Sequence, residues 1–160
     1  LFRGLTDNNS LILNKRPHSI TPVQPAKKEK METRKKILIV DDESDILEFL
    51  SYNFAKKGFQ VYVAGNGKKG FLRAKQIKPD IIVSDLLMDE VDGIEFCTMI
   101  RNDEELKETP FIILSALNDD YKVLYAMSSG ANEYATKPIR FPYLLSIVKE
   151  LIREGSIVAA

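Results

Sequence analysis

The chain has 160 residues, 44% hydrophobic and 29% charged, enough for one domain with residues to spare and too apolar for wholesale disorder. Its formal charge is zero, yet residues 1–36 carry nine Lys/Arg against three Asp/Glu and the remainder fourteen against twenty; an acidic body speaks against direct nucleic-acid binding by that part. One cysteine, Cys97, and one histidine, His18, exclude an internal disulfide, a zinc site built from such residues and His-paired catalysis, and apolar runs of ~4–6 residues exclude membrane insertion, which takes about 20.

Residues 1–34 read as a basic linker, a tail or the end of an upstream domain. Pro17, Pro22, Pro25 and the run Lys27-Lys28-Glu29-Lys30 have linker composition, and Leu11-Ile12-Leu13 is the one short strand candidate there. No secretory signal opens the chain, so a reducing cytoplasmic setting is expected. From residue 35 the pattern becomes regular. Ile37 to Val40 is a buried strand, and Ser44 to Lys57 a helix with Ile46, Leu47, Phe49, Leu50 and Phe54 at helical spacing and Gly58 as its stop. Phe59 to Ala64 is a second strand ending in the turn Gly65-Asn66-Gly67. Lys68 to Ile77 is a helix with Phe71, Leu72 and Ala74 toward the core. Ile81 to Val83 leads into Ser84-Asp85, and Ile94 to Asn102 is helical. Phe111 to Leu114 is a fourth strand, Asp120 to Ser129 a helix stopped by Gly130, Asn132 to Thr136 a fifth strand and Pro142 to Arg153 the closing helix. Residues 155–160 are left as a tail. Met88, Met99 and Met127 are expected as core fillers, and Cys97 as a buried, inert thiol.

Strands alternating with helices through short loops imply a doubly wound α/β sheet with parallel pairing; alternation does not disclose the strand order. Ligand sites in such sheets lie at the carboxyl ends of the strands. There the sequence places Asp41-Asp42-Glu43, Asp85, Ser115-Ala116 and Lys137-Pro138. Singly each has a plain reading: an acidic pair after a strand caps a helix, and a lysine sits on a surface. Jointly they make a carboxylate cluster that needs a cation, and a hard divalent ion such as Mg²⁺ suits oxygen ligands. A lysine and a hydroxyl beside it form a clamp for phosphoryl oxygens. A carboxylate can also act as nucleophile and become an aspartyl phosphate.

Here the sequence resembles the receiver domain of two-component response regulators, the family of the chemotaxis regulator. The likeness covers about residues 35–154 through ILIVDDE at 37–43, PDIIVSDLLM at 79–88, VDG at 91–93, FIILSA at 111–116 and EYATKPI at 133–139. The resemblance implies a flavodoxin-like five-stranded parallel sheet in the order 2-1-3-4-5, helices on both faces, and a phosphorylation-dependent signalling switch. It implies that Asp85 accepts a phosphoryl group from a histidine kinase or histidine phosphotransfer protein. The metal is Mg²⁺, with Mn²⁺ as a substitute, held by Asp42, Asp85 and the Leu87 carbonyl, with Asp41 acting through water. Ser115 bonds the phosphoryl oxygen, Lys137 pairs with Asp85 across a cis bond to Pro138, and Tyr134 is the switch aromatic. The fourth helix, fifth strand and last helix form the signalling face, where Tyr121 and Tyr125 fall; a phosphorylation-linked homodimer through it is compatible with the family. Output is expected through protein contact, an upstream part or a partner chain.

One position departs from the pattern: Asp89 stands where the family has proline. The resemblance implies that the residues two beyond the phosphoacceptor and two beyond the hydroxyl residue flank the path of an attacking water; here both are leucine, Leu87 and Leu117, and slow hydrolysis is expected. Two rival readings are a metal-dependent hydrolase using an aspartyl phosphate and a receiver-like binding module. The adjacent acidic pair lacks the spaced DxD of the first. The intact Asp41, Asp42, Asp85, Ser115 and Lys137 oppose the second.

Overall fold

In the computed structural model, residues 34–116 and 120–158 are described. The elements in chain order are β1 (Lys36–Val40), α1 (Ser44–Lys56), β2 (Gln60–Ala64), α2 (Gly67–Ile77), β3 (Ile81–Asp85), α3 (Gly93–Arg101), β4 (Phe111–Ser115), α4 (Asp120–Ser128), β5 (Glu133–Thr136) and α5 (Phe141–Val158). The five strands form one sheet in the order β2-β1-β3-β4-β5, every neighbouring pair parallel. The expected doubly wound architecture and strand order are therefore both present. The chain leaves β1 toward β2 and returns to β3 on the other side, so the topological switch lies between β1 and β3.

Strand alternation divides the core in two. Ile37, Ile39, Ile81, Val83, Ile112, Leu114 and Ala135 meet Leu50 and Phe54 of α1 and Leu144 and Val148 of α5. Leu38, Val40, Ile82, Phe111 and Ile113 meet Ala74 of α2, Phe96, Cys97 and Ile100 of α3 and Ala126 of α4. The first face is reinforced by edge-on aromatic pairs, Phe54 with Phe59 and with Phe141 at centroid distances of 5.4 and 5.0 Å.

Several local expectations are corrected. Leu72 is exposed, because the buried stripe of α2 runs through Gly67, Gly70 and Ala74 and Leu72 lies about 100° off Phe71 around the helix. Phe49 is half exposed for the same reason, with Leu50 and Phe54 taking the core side of α1. Met127 is exposed beside the buried Ala126, whereas Met88 packs against the core as expected. Helix α5 runs to Val158 rather than ending at Arg153; Gly155 lowers helix propensity there without stopping the helix. The readings made for residues 1–33 and for Leu117 lie outside the described residues.

Candidate functional site

The register of the sheet decides which residues meet. Val40 pairs with Ser84 and Ser115 with Thr136, so Asp41, Asp85, Ser115 and Lys137 all reach the carboxyl rim, on adjacent strands or just beyond them. Asp41, Asp85 and Lys137 continue the alternation of the α1/α5 face. Ser115 continues that of the α3/α4 face, where Tyr134 also packs.

Asp41 is 1% exposed and Asp85 7%. The Lys137 ammonium lies 2.8 Å from Asp41 Oδ2 and 2.6 Å from Asp85 Oδ1, with Glu43 Oε1 at 3.6 Å. The remaining oxygens are used by the backbone: Glu43 N–H donates to Asp41 Oδ1 at 2.9 Å and Leu87 N–H to Asp85 Oδ2 at 2.8 Å. The first of these bonds turns the chain out of β1 into α1; the second folds the loop after β3 back on its own carboxylate. Lys137 is held in turn by its backbone N–H on the Ser115 carbonyl at 2.7 Å, and its bond to Pro138 is cis.

Two buried carboxylates around one ammonium leave excess negative charge in a half-dry space. Burial, opposed by the hydrogen bond from Lys137, leaves the Asp85 carboxyl above its ordinary range. Burial works the other way on Lys137. There the hydrogen bonds and charges of Asp41 and Asp85 together outweigh it and raise the ammonium above the usual lysine value. The donor chemistry, oxygen ligands with net negative charge, fits a hard divalent cation. As the side chains stand, Lys137 lies between the carboxylates, and no group of three acidic, His or Cys side chains converges among the described residues.

Glycine completes the frame. A Cβ on Gly93 would run into the Asp85 carbonyl oxygen, and Gly93 N–H closes the loop by donating to Leu86 O at 2.8 Å. The side chain of Asp92 accepts from Ile94 and Glu95 N–H and starts α3. The VDG run thus fixes the backbone at Asp85 and Leu86.

The profile of the response regulator receiver domain matches residues 37–149. The chain belongs to the receiver family. Among curated relatives it is 34% identical to the alkaline phosphatase synthesis transcriptional regulatory protein PhoP of Bacillus subtilis, over 78% of this chain and 51% of that protein. It is 36% identical to the DNA-binding dual master transcriptional regulator RpaA of Synechocystis, over 74% and 49%. The chain thus spans about half the length of these relatives. Among solved structures it resembles the signal receiver domain of a signal transduction histidine kinase from Syntrophus aciditrophicus, with a TM-score of 0.71, 32% identity and coverage of 75% of this chain and 91% of that one. It also resembles the chemotaxis protein CheY4 of Vibrio cholerae, with a TM-score of 0.71, 27% identity and coverage of 74% and 99%.

Of the residues singled out in the sequence, the receiver fold brings Asp41, Asp85 and Lys137 into one cluster and buries Ser115 one strand away, at the end of β4. Asp42 is exposed at the head of α1, Leu87 is 55% exposed, and Tyr134 is half-buried on β5. Asp89 is exposed in the loop after β3, its carbonyl accepting the Val91 N–H at 2.9 Å. Glu43 was named in the strand-end cluster but given no role, yet it is the acid nearest Lys137 after Asp41 and Asp85. Its place as third member of the run Asp41-Asp42-Glu43 was the available signal. None of the described helices is long and apolar enough to cross a membrane.

Proposed function

We propose that the chain is the phosphoacceptor switch of a two-component phosphorelay, with Asp85 as acceptor. The observation that carries this reading is the Lys137 ammonium 2.6 Å from Asp85 Oδ1, at the sheet rim beside the topological switch. In transfer from a phosphohistidine of a histidine kinase or histidine phosphotransfer protein, an Asp85 oxygen attacks phosphorus. The phosphorus–nitrogen bond breaks, its electron pair goes to that nitrogen, and the donor's imidazole, already protonated on its other ring nitrogen, leaves as the neutral base. Lys137 is placed to neutralise charge on the phosphoryl oxygens, and the Leu87 N–H already aims at the carboxylate. Mg²⁺ would be held by Asp42, Asp85 and the Leu87 carbonyl, with Asp41 through water; Mn²⁺ shares this donor preference. The ion supplies neutralisation of the charge gathered on the phosphoryl group.

The new phosphoryl group carries close to two negative charges. Ser115, on the α4 side of the sheet, is its nearest hydroxyl in family terms, and Tyr134 lies on the same face. Movement of Ser115 toward the phosphate biases α4, β5 and α5, the face through which a partner or a second copy reads the state. The chain acts on no external substrate; the signal ends by hydrolysis of its own acyl phosphate, slowed by the apolar Leu87 beside the site. The setting is cytoplasmic, and output passes by protein contact rather than by direct nucleic-acid binding of the receiver.

Incubation with acetyl phosphate and Mg²⁺ tests the reading. It should give one hydroxylamine-sensitive phosphoryl group per chain, which Asp85→Asn abolishes. Labelling of that variant at the wild-type stoichiometry moves the acceptor elsewhere. In the same assay Asp42→Ala should weaken Mg²⁺ binding, and so raise the Mg²⁺ concentration that labelling needs, far more than Asp89→Ala; equal effects would make Asp89 a ligand.

A further inference from the structure

Outside the Asp41–Asp85–Lys137 cluster, one buried polar side chain faces the loop that follows Asp85. Asn66 is 7% exposed and occupies the N-cap of α2. Its Oδ1 accepts the Lys69 N–H at 2.8 Å. An amide can do this through its oxygen alone, so the cap fixes the flip of the group and leaves Nδ2 as a donor. That donor lies 3.3 Å from Glu90 Oε1. The backbone joins the same two pieces: Gly67 N–H donates to Val91 O at 3.2 Å, and a Cβ on Gly67 would lie 2.6 Å from that oxygen. The start of α2 is seated directly on the loop.

The loop runs from Leu86 to Val91. It is anchored at one end by Leu86 N–H on Leu114 O, and Gly93 N–H on Leu86 O draws its two ends together. Between these points its conformation is not favoured locally. Glu90 has φ of 66°, a region a glutamate rarely enters. Asp89, standing where the family has proline, provides no ring to fix the backbone. The same loop carries the Leu87 N–H that holds Asp85 Oδ2. Met88 and Val91 pack against the core on one side of it, and the polar contact from outside reaches it through the α2 cap.

We infer that Asn66, acting through Glu90, is a positioning residue for phosphoryl transfer to Asp85, holding the acceptor loop where proline is missing. The inference rests on the reading of Asp85 given above. Asn66 touches neither the carboxylate nor the incoming phosphoryl group. It acts by keeping Leu87 in register with Asp85.

Three variants of the whole chain, assayed with acetyl phosphate and Mg²⁺ and by thermal unfolding, test it. Asn66→Asp keeps a capping oxygen but sets a second carboxylate against Glu90; it should slow Asp85 labelling about tenfold while the cap preserves the melting temperature. Adding Glu90→Gln restores a donor–acceptor pair and should return the rate to within about twofold of wild type. Glu90→Gly relieves the positive φ but removes the contact, so it should raise the melting temperature and slow labelling together. A merely structural role would move both in the same sense. Wild-type labelling rates in Asn66→Asp, or a slow rate that the second substitution leaves unrescued, overturn the inference. A wild-type chain that takes no label at Asp85 defeats the reading of the site itself, a distinct result.

Discussion

Helices α4 and α5 lie on opposite faces of the same end of the sheet and are held there very differently. Helix α5 buries Leu144 and Val148, four residues apart on one stripe, and packs Leu145, Ile147, Leu151 and Ile152 around them. Among the described side chains of α4 the one fully buried is Ala126, while Leu124 and Tyr125 are 69% and 64% exposed. Burying a leucine or valine contributes about 1.5–3 kcal/mol and an alanine methyl less than about 1 kcal/mol, so α4 is the cheaper element to move. What fixes it is polar and sits just past its C-terminal end. The Arg101 guanidinium donates to Gly130 O at 2.7 Å, and Cys97 Sγ lies 3.7 Å from Ser129 O. The charged cluster belongs to the face that carries α5, and Ser115 with Tyr134 to the face that carries α4. Of the two helices at this end of the sheet, α4 is the more weakly seated.

This contrast can be broken by substitution. Leu144→Ala should cost about 2–5 kcal/mol in chemical denaturation, the transfer of a leucine side chain plus the cavity it leaves; a cost under 1 kcal/mol would mean α5 is no better seated than α4. Ala126→Leu should cost about 1–3 kcal/mol by overpacking the buried cluster to which Ala126 belongs, with hydrogen exchange accelerated in α4 and unchanged in α5. Uniform acceleration would show the two helices to be one cooperative unit.

A smaller effect of opposite sign is expected between the two faces, at Asp85. Burial raises its carboxyl, so the folded chain holds that proton more tightly than the unfolded one does. Stability should then fall as pH rises from the ordinary aspartate value of about 3.9 through the raised folded value. Asp85→Asn has no proton there and leaves Lys137 its partner Asp41. In metal-free buffer the variant should be more stable than wild type at neutral pH, and this advantage should vanish in acid. A difference independent of pH would assign the gain to something other than the buried charge. Smallest of all, Leu124→Ala and Tyr125→Ala should each change stability by no more than about 0.5 kcal/mol, as exposed side chains do. A larger loss would place these side chains in contacts that the fold does not give them.

The local code of the chain was legible because two periods differ. The β-branched runs 37–40, 81–83 and 111–114 and the helical stripes between them set ten elements in order, and short loops forced the strands parallel. The motifs that end those strands named Asp41, Asp85, Ser115 and Lys137 before any contact was visible. Other features depended on neighbours distant in sequence. Leu72 and Met127 are apolar and helical, yet both are exposed while Ala74 and Ala126 on the same helices take the buried side. The pairing of Lys137 with Asp41, 96 residues away, requires the register of four strands at once. So does the division of the site, with the charged cluster on one face and Ser115 on the other. Alternation along each strand sets which side a residue takes only after the sheet has fixed where every strand begins. The sequence alone determined the elements and the chemistry at their ends. Tertiary structure decided which charges meet, which loop an outside amide must hold, and which helix is left loose, because each depends on long-range register rather than on local preference.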